Sequence, residues 1–290
     1  MRTLAGIVVY KPDPNRLEEN IISVIPQVTD VVLFVNGDES WMAVQSLVEK
    51  HPALCVIRNA KNVGIASGLA KIMEYARVNC YQWVLAIDQD SVCRQGLIAE
   101  YTKYLTLRNA GMLTCCITDR NFSQKSGFLP GERYKEVEKC ITAGSFTSVA
   151  AYYQTDGYDE SMFIDGVDWD LCYNFRQHGY AIYRINFEGL LHEVGHGRNV
   201  SLFGRPYVAY GESPLRNYYS ARNDIYLARK YPEFLSMGKT LVRELRAEVI
   251  VLLYEGDKGT KIRNRWRGIG EGFSMQLPDR KPRLREQSSS

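Results

Sequence analysis

The chain has 290 residues, 45% hydrophobic and 24% charged, so it can bury a sizeable core without disulfide staples. Its formal net charge of +3 is too small to mark a nucleic-acid binder, and its seven cysteines, without a C-x-x-C spacing, point to free, buried thiols rather than a zinc site or disulfide framework. The N-terminus lacks a signal-peptide pattern and no apolar run approaches bilayer length, which predicts a cytoplasmic chain.

Residues 4–10 predict a first strand. Asp13-Pro14 then supplies an N-cap and a proline at the first helical position, and Leu17, Ile21, Ile22 and Ile25 form the apolar face of the helix. Residues 31–35 predict a second strand, ending at Asn36-Gly37-Asp38. Val44, Leu47 and Val48 mark a helix, and residues 54–57 a third strand. Asn62-Val63-Gly64-Ile65-Ala66-Ser67-Gly68 leads into a helix through Ala70, Ile72, Met73 and Ala76, followed by a strand over 83–87. This alternation predicts an α/β fold: a Rossmann-like, mostly parallel central sheet flanked by helices, with ligand bound across the strand ends.

Past residue 90 the rhythm loosens. A strand is expected over 112–117, a polar surface loop over 119–136, a small apolar stretch over 143–153, a helix over 169–178 and a strand over 180–185. From Pro214 the chain is helical to residue 231 and again over 235–254. Residues 287–290 are expected to be disordered. The pattern divides the chain into a catalytic domain, 1–212, and a helical C-terminal region, 213–290.

The most informative segment is Trp83-Val-Leu-Ala-Ile-Asp88-Gln89-Asp90-Ser91-Val92. A buried strand delivers two carboxylates to its carboxyl end, where an oxygen-ligand pair can hold a hard divalent cation and leave positions open for phosphate oxygens. The exits of the first two strands, Tyr10-Lys11-Pro12 and Asn36-Gly37-Asp38, can frame a nucleobase. Gly64 and Gly68 permit close backbone approach ahead of a helix N-terminus, though their spacing is not a dinucleotide fingerprint. Asp165, Asp168 and Asp170 crowd the start of a helix. Capping accounts for one or two of them, and the third is a candidate general base. His192-Glu193-Val194-Gly195-His196 is not a zinc-protease helix, but one histidine there can complete a shell begun by Asp90.

In this order, with Pro214-Leu-Arg216-Asn-Tyr-Tyr219 and Arg222-Asn223 following, these residues resemble glycosyltransferase family 2 over residues 3–230, and within it the bacterial rhamnosyltransferases. The resemblance implies an inverting GT-A enzyme. Its donor would be a nucleotide sugar, dTDP-L-rhamnose being favoured over UDP-sugars such as UDP-galactofuranose, and its cofactor Mg2+ or Mn2+. It also implies a glycan or lipid-linked glycan acceptor at the cytoplasmic face of the membrane. By this resemblance Asp90 and His192 bind metal. Tyr10, Asn36, Asp38, Asn62, Gly64, Gly68, Asp88, Gln89 and Arg222 serve the donor, and the base falls at Asp168, with Asp165 the alternative because Val167 replaces the usual first acid. An inactive nucleotide-sugar-binding homologue is the non-enzyme alternative.

Ile262, Trp266, Ile269 and Phe273 recur at helical spacing among Arg263, Arg265 and Arg267. Such a helix suits either an anionic membrane surface or packing against the rest of the chain.

Overall fold

The computed structural model describes residues 1–119, 127–192, 198–202 and 204–279. They form two compact units, one of residues 1–161 and 167–193, the other of residues 162–166 and 194–280.

The first unit is built on a nine-stranded sheet. Its parallel half comes from the predicted alternation: β1 (Thr3–Val9), α1 (Pro14–Val24), β2 (Asp30–Asn36), α2 (Asp38–Lys50), β3 (Leu54–Asn59), α3 (Gly64–Val78) and β4 (Trp83–Asp88). β1, β2 and β4 are buried along nearly their whole length, as strands covered by helices on both faces require. Asp13 caps α1, its carboxylate accepting from the amides of Asn15 (2.9 Å) and Arg16 (3.1 Å). Leu17 and Ile21 are buried as predicted, but Ile22 is exposed and Ile25 begins a 3-10 turn beyond the helix. Gly68 lets α3 lie close on the sheet, since a Cβ there would come within 2.9 Å of the Val8 methyls.

The remainder is β5 (Val92–Cys93), α4 (Leu97–Thr102), β6 (Ala110–Asp119), β7 (Tyr134–Glu136), β8 (Ser145–Ser148), α5 (Val149–Gln154), α6 (Val167–Gln177) and β9 (Ala181–His192). The strand order is β3-β2-β1-β4-β8-β6-β9-β5, with β7 on β9. β1–β4 are parallel, whereas β8 runs antiparallel to both β4 and β6, so the sheet is mixed beyond β4. The polar stretch read as a loop contains β7, and its residues 120–126 lie outside the described residues. All seven cysteines are free, five of them buried.

The second unit carries a hairpin, β10 (Arg198–Leu202) with β11 (Arg205–Ala209), and three helices, α7 (Pro214–Lys230), α8 (Met237–Tyr254) and α9 (Lys258–Ser274). Residues 287–290 lie outside the described residues.

Candidate active site

Strand order places the site. The chain steps outward from β1 to β2 and β3, then returns to lay β4 on the other side of β1. At the carboxyl ends of β1 and β4 the connections leave in opposite directions, and ligands of open α/β sheets bind at such switch points. Asp88 ends β4 there, in register with Val8 of β1.

Three side chains meet at this edge. Asp88, Asp90 and His192 each offer a ligand atom, and these atoms lie within 4.8 Å of one another. His192 arrives on the last residue of β9; its Nε2 stands 3.9 Å from an Asp88 carboxylate oxygen. Its Nδ1 shares a 2.8 Å hydrogen bond with the buried hydroxyl of Ser91. That contact orients the ring and leaves Nε2 directed at the carboxylates, the arrangement a metal-ligating histidine needs. Two carboxylates and one imidazole fit Mn2+ or Mg2+ by donor type. Asn20 of α1 supports the turn, donating its amide to the Asp88 carbonyl at 2.7 Å.

Gln89, between the two acids, clamps the exit of β1. It accepts from the Tyr10 amide (2.9 Å) and donates to the Tyr10 carbonyl (3.1 Å). Lys11, at φ 44, donates its amide to Ser40 Oγ at 3.0 Å. Asn36 and Asn62 tie β2 to the entry of α3: Asn36 donates to Asn62 Oδ1 (2.9 Å) and Gly64 O (3.2 Å), and accepts from the Val63 amide (2.8 Å). Asn62 in turn accepts from the Gly64 amide at 2.9 Å. Amides that the sequence offered to an anion are thus already held by asparagine side chains. Asp38 is exposed at the start of α2 and pairs with Arg58 at 3.3 Å. Gly64 sits at φ 84, a left-handed backbone that favours glycine, while Gly68 serves helix-on-sheet packing.

Asp168 and Asp170 occupy the first turn of α6, which starts two residues before the predicted 169. Asp170 is fully buried, whereas Asp168 is half-buried and accepts from the Trp169 amide at 2.9 Å. Asp168 lines a small recess with Cys140, Ser145, Tyr158 and Cys172.

Asp165 belongs to the second unit and is engaged there. Its carboxylate pairs with Arg216 at 2.5 Å, and its backbone carbonyl accepts from Asn223 at 2.8 Å. Arg222, expected at the donor, is a buried cation of that unit. It donates to Met162 O and Asn223 Oδ1, both at 3.0 Å, and pairs with Glu271 at 3.4 Å. Sequence reasoning assigned no role to Ser91, Asn20 or Asn223. The signal for Asn20 was a polar residue on the buried face of an otherwise apolar helix stripe. Residues 193–197, and with them the rest of the His192 motif, lie outside the described residues.

A mixed sheet with its acidic pair at the β1/β4 switch point defines the GT-A class of glycosyltransferase fold. Solved structures agree on this fold: S. aureus TarS 1–349 in complex with UDP-GlcNAc aligns with a TM-score of 0.61 at 13% identity, covering 94% of this chain and 81% of that one. GalNAc-T7 with UDP, GalNAc and Mn2+ aligns with a TM-score of 0.61 at 12% identity, covering 94% and 56%. Residues 5–159 match the profile of Glycosyl transferase family 2, and the chain belongs to that family. It is also similar to the dTDP-rhamnosyl transferase RfbF of Shigella flexneri, 25% identical over 270 residues that span 85% of this chain and 87% of the relative.

Proposed function

We propose that the chain is an inverting rhamnosyltransferase. It moves L-rhamnose from dTDP-β-L-rhamnose to a hydroxyl of a glycan or lipid-linked glycan in bacterial cell-surface polysaccharide synthesis. The observation that carries the reading is the meeting of Asp88, Asp90 and His192 at the switch point. The likeness to a dTDP-rhamnosyl transferase over most of both chains favours the donor. We assign catalysis to residues 1–212.

In this reading Asp90 and His192, with Asp88 beside them, hold Mn2+ or Mg2+, which supplies positive charge to the leaving diphosphate. Tyr10 and Gln89 frame the nucleoside side of the site. The acceptor oxygen bonds to the anomeric carbon as the bond from that carbon to the diphosphate oxygen breaks, and the electron pair leaves with dTDP. Asp168 takes the acceptor proton. Asp165, whose carboxylate pairs with Arg216, is the alternative base.

The test is a donor screen with the purified protein and Mn2+, following release of dTDP or UDP, with Asp168→Asn and Asp165→Asn in parallel. The reading predicts dTDP release from dTDP-rhamnose in the presence of a rhamnose-accepting glycan, and a kcat at least about a hundredfold lower for Asp168→Asn. Release of UDP from a UDP-sugar instead would overturn the donor. Binding of dTDP without transfer to any glycan would overturn the activity. Near-normal turnover in Asp168→Asn with an inactive Asp165→Asn would move the base.

A further inference from the structure

The unusual surface of the second unit is made by α8 and α9, which leave several large apolar side chains exposed while Ile262 and Ile269 are half-buried. In α8 the buried positions are Thr240, Glu244, Glu248 and Val251, so the face turned inward carries both of the helix's carboxylates. Leu241, Val242, Leu245, Leu252 and Leu253 are instead 41–62% exposed. At about 100° per residue they share one side of the helix, spread over roughly a third of its circumference. A surface helix normally does the reverse.

In α9 the buried positions are Lys261, Arg265, Gly268 and Gly272, while Trp266 is 60% and Phe273 47% exposed. The orientation is fixed from inside. A Cβ on Gly268 would fall 2.3 Å from the Tyr218 carbonyl, and one on Gly272 2.4 Å from that of Arg222. Arg265 donates to Glu244 at 2.6 Å and to Asn217 at 3.2 Å, and Lys261 pairs with Glu255 at 2.7 Å. Only this face of α9 can meet α7 so closely, so Trp266 cannot rotate inward.

Charge selects the occupant. Lys239 and Arg246 border the stripe of α8, and Lys258, Arg263 and Arg267 that of α9; all five are exposed. Of the carboxylates on the two helices, Glu244 is held inside by Arg265 and Glu248 is buried, while Glu271 is exposed but bonded by Tyr218 and Arg222. A second copy of this face would set cations against cations. An anionic lipid surface satisfies both features, accepting the leucines and tryptophan between headgroups and the cations at phosphate level. Among the described residues no helix is long and apolar enough to cross a membrane, so the contact lies in the plane of the interface.

We propose that α8 and α9 form an interfacial surface that seats the protein on anionic bilayers. This proposal stands apart from the sugar-transfer reading, and Asp90→Ala leaves it intact. The test uses the full chain and sedimentation with vesicles of phosphatidylcholine, with and without phosphatidylglycerol. Wild-type protein is expected on the anionic vesicles, with binding weakened by salt. Leu245→Glu/Leu252→Glu and Arg263→Glu/Arg267→Glu should each lower partitioning by about tenfold or more. Brominated lipid should quench Trp266 fluorescence in the wild-type chain, a readout that needs no variant to fold. Failure to bind anionic vesicles at low salt, or unchanged partitioning in the charge-reversed variant, overturns the proposal. A dimer in sedimentation equilibrium that Leu245→Glu/Leu252→Glu dissolves, without lipid quenching, assigns the surface to a second copy.

Discussion

Asn223 should be the most costly single polar side chain to remove from the second unit. Its Nδ2 donates to three carbonyls of the segment before α6: Met162 at 3.0 Å, Ile164 at 2.7 Å and Asp165 at 2.8 Å. That segment holds two non-glycine residues in the left-handed region, Phe163 at φ 62 and Asp165 at φ 65. Such residues cost on the order of 1 kcal/mol or more each and persist only where their surroundings over-determine them. Asn223 is buried, so truncation removes this donor from the Ile164 and Asp165 carbonyls, while Met162 keeps Arg222. At about 0.5–1.5 kcal/mol net per hydrogen bond, Asn223→Ala should cost about 2–4 kcal/mol. Phe163 stacked on Tyr219 (4.9 Å between centroids) and Arg216 on Asp165 would keep part of the segment in place. Urea unfolding of the second unit should report the loss, and hydrogen exchange should show the amides of 162–166 deprotected beyond the global change. A loss below about 1 kcal/mol with unchanged exchange would refute the view that one amide sets this backbone.

The other expectations concern the metal edge, the sheet and pH. With dTDP present, Asp90→Ala should abolish calorimetric Mn2+ binding, and Ser91→Ala, which only loosens the His192 ring, should weaken it by about 10–100-fold; equal affinity in all three proteins would dismiss the site. Gly68→Val should destabilise the first unit by about 1–3 kcal/mol in urea, since even a Cβ meets Val8 and Phe34 at 2.9–3.0 Å. In the second unit burial, reinforced by Asp224, pushes the Glu244 carboxyl up from 4.5 to about 8 despite the pull of Arg265, and burial also raises Glu248 and Glu212. A folded pKa above the unfolded one means that the Glu244 contribution to stability is fullest below about pH 4.5 and is lost as pH rises through about 8, and the raised Glu248 and Glu212 act in the same direction. The melting temperature should therefore fall across that window, and Glu244→Gln should flatten the fall; a profile that Glu244→Gln leaves unchanged would show that this carboxyl does not titrate there.

The N-terminal half was legible because each element announces itself locally. Apolar runs buried on both faces, an Asp-Pro cap and a glycine before α3 need no tertiary information to be read. The later sheet was less legible because its pairing is decided between distant segments. β8 is four residues long and runs antiparallel between β4 and β6, a choice no periodicity encodes. The strand expected over 180–185 extends to His192 as β9, through Asn186 and Glu188, with register shifts against β6. That extension matters for the site, since it carries His192 to Asp88. The Asp88-Gln89-Asp90 turn was legible only in company with the other motifs, because acidic pairs are common in turns for their own hydrogen bonding.

Residue type alone does not say whether a polar side chain serves the site or its support. Arg222 was expected at the donor, yet in the folded chain it and Asn223 bond the carbonyls of 162–166. Periodicity has the matching weakness. It groups Ile262, Trp266, Ile269 and Phe273 on one side of α9 without saying which side faces the protein. The usual rule would turn that side inward and leave the arginines in water. What reverses it are the two glycines at 268 and 272, each flush against a carbonyl of α7, and the carboxylate of Glu244 waiting for Arg265. A helix that buries two cations and exposes a tryptophan has its orientation set by the fit of its small residues rather than by hydrophobicity. Gly268→Leu is accordingly expected to displace α9 from α7 and expose Arg265, whereas Trp266→Ser should leave the melting temperature within about 1 °C, since surface substitutions cost little. A large loss of stability in Trp266→Ser would mean that the tryptophan, not the glycine face, holds the helix in place.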